Sequence, residues 1–286
     1  MPGAPVADAV LAEVTGRVAA LAAGGKTVGL ATVLVGDDPS SARYVAKKHE
    51  ACEQCGITSV DVRIPAGAAQ ADLMAAIAEL NADAAVDGYI VQHPVPAGFD
   101  FNAAVSAMDP AKDSDGLHPT NLGLLALGDT SAPRPCTPLG IQAMLAHYGV
   151  PVAGRRVVIV GRGPTLGRPL SMLLSLKEPL ANAAVTVVHT GVSDWATMTL
   201  VADIVVGAAG VPNMITPEAI RPGACVVGGG LTWEGRRALS DVDESCGDVA
   251  GWITPRLGGV GVTTVAMLLR NTVAIAERRA GLATPA

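Results

Sequence analysis

The chain has 286 residues; half are apolar, 16% are charged and the net charge is −6. That length supports two compact lobes with separate cores, and the apolar content excludes a disordered chain. The acidic balance argues against a nucleic-acid or anionic-membrane partner, since both need a basic face, while leaving room for a local cationic pocket for a phosphate.

In chain order, apolar positions at helical spacing predict a helix over 7–23. A short apolar run at 28–35, ending in Gly36-Asp37-Asp38-Pro39, reads as a buried strand and turn. Ser40 or Ser41 can cap a helix that runs to Cys55 and stops at Gly56. A strand at 57–64, a helix at 71–81 and a strand at 88–92 follow, closed by the stiff His93-Pro94-Val95-Pro96. The segment 108–138, rich in Pro, Gly and Asp, reads as a long functional or linking loop. Next come a helix at 139–148 and strands at 157–160, 185–189, 204–208 and 225–227, with helices between at least the first three. An apolar helix at 264–280 ends in Glu277-Arg278-Arg279. Two series of alternating strand and helix imply parallel sheets of the doubly wound α/β class.

With aromatics at 3%, the core must be built from Ala, Val, Leu and Ile. No apolar run reaches transmembrane length, and Met-Pro-Gly-Ala at the start carries no basic region of a signal peptide, so a soluble cytoplasmic protein is expected. The five cysteines do not suggest a disulfide scaffold. Cys52 and Cys55 form a lone C-x-x-C near a helix C-terminus, whereas a redox pair needs the N-terminal end of a helix to stabilise thiolate. Two packed thiols are expected there. His93 and His118 have no companion set for a metal, and none is expected.

Chemistry concentrates in a few places. Gly161, Gly163 and Gly167 form G-x-G-x-x-x-G, one residue longer than the usual dinucleotide fingerprint, between an apolar strand and a helix. Such a turn lets backbone approach a pyrophosphate and offers it the helix N-terminus; a tight turn without ligand is the other reading. The next strand ends in His189-Thr190 rather than in the carboxylate of an NAD-specific site, and Arg162 is placed to meet a 2′-phosphate, so NADP is favoured over NAD. Otherwise Arg162 is a surface cation. Tyr44 and Lys48 are four apart and share a helix face. A lysine can shuttle protons where burial or neighbours lower its pKa, and is otherwise an ordinary exposed cation. Gln92 stands at the carboxyl end of a strand, where such sheets present ligand groups, and Asp115 can either fork two hydrogen bonds to a heterocycle or cap a turn. A proton-handling pair beside a dinucleotide turn points to hydride transfer. A short-chain dehydrogenase also uses Tyr-x-x-x-Lys but places it after the glycine turn, so that reading is rejected.

These segments, in this order, resemble the bifunctional methylenetetrahydrofolate dehydrogenase/methenyltetrahydrofolate cyclohydrolase family. The matching stretches are Val35 to Pro39, Tyr44 to Lys48, Gly88 to Gln92, Asp109 to Pro119, Pro135-Cys136-Thr137-Pro138, Gly161 to Pro169 and Gly258-Gly259-Val260-Gly261. The resemblance implies an N-terminal catalytic, folate-binding lobe (1–138 with 264–286), a Rossmann-like NADP lobe (139–263), a cleft between them, and a homodimer. It implies that Tyr44 stacks on the pterin and Lys48 serves the cyclohydrolase step. Gln92 would tune Lys48, and Asp115, with Gly258 and Gly259, would bind substrate. Gly161, Arg162, Gly163, Gly167 and Arg168 would form the cofactor turn, with His189 and Thr190 beside it. The implied reaction oxidises 5,10-methylenetetrahydrofolate with NADP and hydrolyses the methenyl product to 10-formyltetrahydrofolate.

The sequence departs from the family where the pattern has Gln-Leu-Pro-Leu-Pro (here Gln92 to Pro96), Asp-Val-Gly (Gly228-Gly229-Gly230) and Pro-Gly-Gly-Val-Gly-Pro-Met-Thr (Leu257 to Thr264). Exchanging prolines at 257 and 262 for Leu and Val, and gaining Gly228 and Gly229, is expected to loosen the wall where pterin and nicotinamide meet. That supports a second reading, a diverged enzyme of the same fold with one activity lost or another one-carbon substrate. A non-catalytic folate- or nucleotide-binding regulator is the third, and the retained Lys48 and Gln92 weigh against it.

Overall fold

Strand and helix alternate along the computed structural model, which describes residues 1–234 and 237–282. The first half runs α1 (Ala4–Ala23), β1 (Gly29–Val35), α2 (Pro39–Cys55), β2 (Thr58–Ile64), α3 (Gln70–Ala82), β3 (Gly88–Val91), α4 (Phe101–Ser106) and α5 (Pro119–Leu127). The second runs α6 (Cys136–His147), β4 (Arg156–Val160), α7 (Gly167–Ser175), β5 (Ala184–Val188), α8 (Trp195–Thr199), β6 (Ile204–Gly207), β7 (Cys225–Gly228), β8 (Leu231–Glu234), β9 (Arg237–Ser240), β10 (Trp252–Ile253) and α9 (Val260–Arg279). Two compact units result. One comprises 8–124, 129–136 and 265 onward; the other comprises 1–7, 125–128 and 137–264.

The first unit is built on a parallel sheet in the order β2-β1-β3. Every residue of β1 and β3 is buried, as their unbroken apolar runs require of strands covered on both faces. A cluster of Val33, Val35, Leu73, Ile77, Tyr89 and neighbours fills one side. The chain reverses direction across the sheet between β1 and β3, so their carboxyl ends flank a switch point.

The second unit has a five-stranded parallel sheet in the order β10-β7-β6-β4-β5, with a separate antiparallel hairpin β8-β9. Its switch point lies between β4 and β6. Aliphatic clusters cover both faces, one around Ile141, Val157, Ile159 and Leu170, the other around Val158, Val205, Ile220 and Val226. The unit also claims the first seven residues, which the sequence reading placed with the catalytic lobe. The reason is local: Met1 and Val6 join its core, Gly3 N–H donates to Gly258 O at 2.7 Å, and the Tyr148 hydroxyl donates to Pro2 O.

Three local differences from the sequence reading have plain causes. The cap of α2 is Asp38, whose carboxylate accepts from Ser41 N–H at 2.7 Å while Pro39 takes the first helical position; neither serine is the cap. The expected loop at 108–138 contains α5, whose glycine, Gly123, faces solvent and whose start is held by the buried His118, accepting from Thr120 N–H through Nδ1. The tail helix α9 is long and apolar enough, by length and composition, to cross a membrane, but 72% of that window is buried in protein, so it is a core helix.

One ion cluster ties the base of the first sheet together. Asp87, fully buried at the start of β3, accepts from Lys26 and Arg279, both at 2.9 Å, and from Gly29 N–H at 3.0 Å. Removing the carboxylate would take the acceptor from Lys26 and from a strand N–H, and leave Arg279 with backbone carbonyls only. Asp87→Ala is expected to cost about 3 kcal/mol, read as a lower urea midpoint at an unchanged denaturant slope.

Candidate active site

Lys48 gets its position from the two ends of α2. Asp38 and Pro39 start the helix, and Gly56, at φ 75°, stops it with its N–H on the carbonyls of Cys52 and Glu53. The register between them sends Ser41, Val45, Lys48, Cys52 and Cys55 to the buried face. A lysine thus occupies a core stripe, and its side chain is only 7% exposed. Its Nζ donates to Gln92 Oε1 at 2.7 Å, and Gln92 is held in turn by donating from Nε2 to His93 O at 2.7 Å. Burial pushes the Lys48 pKa below the ordinary lysine value, opposed by the charge of Asp115. Burial moves Asp115 the other way, raising its carboxyl pKa against the pull of Lys48. Both groups are therefore driven toward their neutral forms. Tyr44, one turn earlier, is half-buried and its phenol is pushed up by burial, so it remains a hydrogen-bond donor.

Asp115 sits in a tightly held segment. Asp113, buried just before it, accepts from Gly116 N–H, His118 N–H and Asn121 Nδ2, and so shapes the turn. Asp115 also borders a small cavity of about 10 Å³, room for a single water, lined by Ile90, Phe101, Val105, Met108, Asp113 and Leu117. Lys48, Gln92, Tyr44 and Asp115 thus all belong to the first unit. Cys52 and Cys55 are buried free thiols at the end of α2, and burial pushes Cys52 up to about 11, which suits packing rather than redox chemistry.

The glycine turn belongs to the second unit. Gly161 has φ 130°, and a Cβ there would lie 2.1 Å from Ala208 O; a Cβ on Gly167 would lie 2.3 Å from Gly161 O. Both glycines are demanded by backbone packed on backbone at the β4/β6 switch point. Gly163 differs, since a Cβ there would meet nothing within 4 Å. No side chain caps α7, and Arg162 and Arg168 are exposed at its start. The Gly167 N–H at the helix start, clear space over Gly163 and two cations fit a dinucleotide phosphate, while Arg168 N–H is taken by Gly163 O at 3.2 Å. His189 is half-buried with Nδ1 engaged by Gly191 N–H at 3.0 Å, and Thr190 is exposed. Gly258 (exposed, φ 72°) and Gly259 (buried) form the turn before α9 and belong to this second unit. Among the described residues no group of three His, Cys, Asp or Glu could hold a metal ion.

A family model described as tetrahydrofolate dehydrogenase/cyclohydrolase, catalytic domain, matches residues 1–115, and its NAD(P)-binding counterpart matches 135–280. The chain belongs to the tetrahydrofolate dehydrogenase/cyclohydrolase family. It is 59% identical to the bifunctional protein FolD of Syntrophotalea carbinolica, covering 98% of this chain and 96% of that one. Among solved structures it resembles the bifunctional FolD of Campylobacter jejuni (TM-score 0.92, 36% identity, 97% and 98% coverage). It also resembles the Trypanosoma brucei enzyme complexed with NADP and an inhibitor (TM-score 0.90, 36% identity, 98% and 97% coverage). A nicotinamide dinucleotide is the cofactor of this family's second domain.

Within this tetrahydrofolate dehydrogenase/cyclohydrolase, the expected loosening at Gly228-Gly229-Gly230 is not what the structure has. A Cβ at Gly228 would lie 2.4 Å from Ser240 Oγ, one at Gly229 2.5 Å from Leu166 Cδ2, and one at Gly230 2.1 Å from Asp241 Oδ2. Other side chains fill the space, so these glycines mark close packing rather than slack. Val262 likewise packs against Gly3, while Leu257 is 59% exposed.

Sequence reasoning missed the groups that hold Asp115. Cys136 packs its thiol on Ser114 O at 3.2 Å, and its pKa is pushed well up by burial. From α9, Asn271 donates to Ser114 O and Arg134 O, each at 2.9 Å, and Thr272 donates to Ser114 Oγ at 2.9 Å. The available signal was a polar triplet, Arg270-Asn271-Thr272, inside an apolar helix pattern. Asn271→Leu would remove one of the two donors to the Ser114 carbonyl and the Asn271 donor to the Arg134 carbonyl, and is expected to cost about 1–2 kcal/mol in chemical denaturation.

Proposed function

We propose that this chain oxidises 5,10-methylenetetrahydrofolate to the 5,10-methenyl form with NADP and hydrolyses that product to 10-formyltetrahydrofolate. The observation that carries the reading is the buried Lys48 amine hydrogen-bonded to Gln92, with Asp115 beside it, in a chain closely similar to bifunctional FolD. Residues 1–138 with 264–286 are assigned to folate and catalysis, and 139–263 to the dinucleotide. The acidic net charge and the protein-buried α9 support a cytoplasmic protein that needs neither nucleic acid nor membrane, and a homodimer acting on a tetrahydrofolate one-carbon derivative is part of the same reading.

When bound, the nicotinamide ring accepts a hydride from the bridging methylene carbon. The chain's own part is binding and proton handling. Asp115 takes the pterin through its amino and ring N–H groups, with Tyr44 stacked on the ring. Gly258 and Gly259 contact substrate through their backbone. Gly161, Gly163, Gly167 and the start of α7 receive the pyrophosphate, and Arg162 and Arg168 supply charge, with His189 and Thr190 beside the ribose. The open turn and the absence of a carboxylate at His189-Thr190 favour NADP over NAD.

In the second reaction, water adds to the methenyl carbon, one proton is released, and the ring opens to the formyl product. A neutral Lys48 amine takes that proton as the C–O bond forms. Burial supports this by raising the neutral fraction at a given pH, and Gln92 Oε1 holds the amine's orientation through one of its N–H bonds. A buried, oriented amine is worth more than a mobile one because no reorganisation is needed at the moment of reaction.

Two measurements check these roles. Because Lys48 is shifted downward, the rate of methenyl hydrolysis in the wild-type chain should rise with pH along a limb below the ordinary lysine range. Lys48→Met should lose about a hundredfold or more of that rate, together with the limb, while NADP binding survives. Unchanged hydrolysis would refute the role of Lys48. For cofactor choice, Arg162→Ala should weaken NADP about tenfold more than NAD in a binding titration, and equal losses would refute the 2′-phosphate assignment.

A further inference from the structure

We propose that Asp241 is a positioning residue for the dinucleotide half of the reaction. It holds the loop that leaves β6, residues 208–211, against the glycine turn after β4. The inference rests on the NADP-dependent dehydrogenase reading given above.

Asp241 lies just past β9 and is 1% exposed. Its Oδ2 accepts from Ala209 N–H at 2.8 Å and Gly210 N–H at 3.2 Å. Two successive backbone N–H groups turned toward one carboxylate oxygen make a tight concave turn, so this side chain sets the loop's backbone. Its other oxygen, Oδ1, is buried without a hydrogen-bond partner. An arrangement that leaves a buried carboxyl oxygen unpaired is costly, and it is kept here at the carboxyl ends of the strands, where a doubly wound sheet binds its ligand.

Glycines on both sides make room for the carboxyl. A Cβ on Gly207, the last residue of β6, would lie 2.7 Å from Asp241 Cβ, and one on Gly230, after β7, would lie 2.1 Å from Oδ2. The Asp241 side chain is thus wedged between the ends of two adjacent strands. Thr232 adds a second tie, donating from Oγ1 to Gly210 O at 2.9 Å.

From the loop the contact passes to the cofactor turn with no slack. Ala208 O stands where a Cβ of Gly161 would be, and Gly161 O stands where a Cβ of Gly167 would be. Gly167 is the first residue of α7, whose start has no side-chain cap and is assigned to the pyrophosphate. Displacement of the 208–211 backbone therefore has to move the turn, the helix start, or both. Nothing in this series of contacts involves Lys48, Gln92 or Asp115.

The test uses the full-length chain with NADP as the probe. Wild type, Asp241→Ala and Asp241→Asn are compared for NADP affinity by fluorescence titration, for methylenetetrahydrofolate oxidation, and for methenyl hydrolysis as a measure of the other unit. Asp241→Ala should raise the Kd and KM for NADP about tenfold or more, with methenyl hydrolysis kept. Asp241→Asn, which still offers an oxygen to the loop, should recover most of that affinity. If Asp241→Ala does not fold, Gly230→Ala, whose methyl displaces the same carboxyl, is read by the same titration and should show the same NADP defect. NADP affinity equal to wild type in the folded variant, an asparagine variant no better than alanine, or a matching fall in methenyl hydrolysis would each overturn the proposal. A wild-type chain that neither binds NADP nor oxidises methylenetetrahydrofolate would instead overturn the functional reading on which it rests.

Discussion

An ammonium group in a helix stripe otherwise made of Val, Ala, Ser and Cys is the constraint around which the first unit is arranged. Leaving it there without partners would be costly, since a buried cation loses its hydration. The fold answers with a carboxamide oxygen at 2.7 Å and a carboxyl nearby. Each answer makes its own demands. Gln92 must emerge at the end of β3, which requires β3 beside β1 in the sheet. Asp115 must be held against its own tendency to take up a proton, which requires a rigid turn. Asp113, Ser114, Cys136 and two polar residues of α9 supply that rigidity.

The second unit solves its binding problem in a different way. Its candidate phosphate site is made mostly of backbone, and its precision comes from the absence of side chains. Gly161 and Gly167 are glycine because neighbouring carbonyls occupy the places their Cβ atoms would take, whereas Gly163 is glycine beside open space. The same signature in sequence therefore records two physical requirements, backbone packing at two positions and clearance at the third. The run Gly228-Gly229-Gly230 belongs with the packing kind. Its neighbours Ser240, Leu166 and Asp241 fill the space beside these glycines, including that of the aspartate and valine in the family's Asp-Val-Gly, which removes slack at this run as a reason for reading the chain as a diverged enzyme.

Much of this was legible in the sequence because short-range rules dominate it. Apolar runs bounded by Gly and Pro located seven of the strands, and Gly56 marked the end of α2. The spacing of Tyr44 and Lys48 placed them on one face, but the more telling pattern was wider. Val45, Lys48, Cys52 and Cys55 share a buried stripe, so a lysine at that phase is already committed to the interior. The loop reading of 108–138 failed because Pro119 and Gly123 look like breakers, while one opens α5 and the other faces solvent along it. The hairpin β8-β9 was missed because its strands, Leu-Thr-Trp-Glu and Arg-Ala-Leu-Ser, mix polar and charged residues and form no apolar run of the kind that marked the four-residue β3, β6 and β7. For the groups that hold the Asp115 turn, the polar triplet at 270–272 was visible but not what it meets. Asn271 and Ser114 are 157 residues apart, and no local pattern encodes a contact of that range.

That separation bears on how the enzyme comes into being. During synthesis the segments carrying Lys48, Gln92, Asp115 and Cys136 leave the ribosome well before residues 271 and 272 are added. Until then the carbonyls of Ser114 and Arg134 lack the Asn271 donor, and the turn around Asp115 lacks its last restraint. Assembly of the catalytic geometry is therefore a late, non-local event, gated by the docking of the helix made last among these parts.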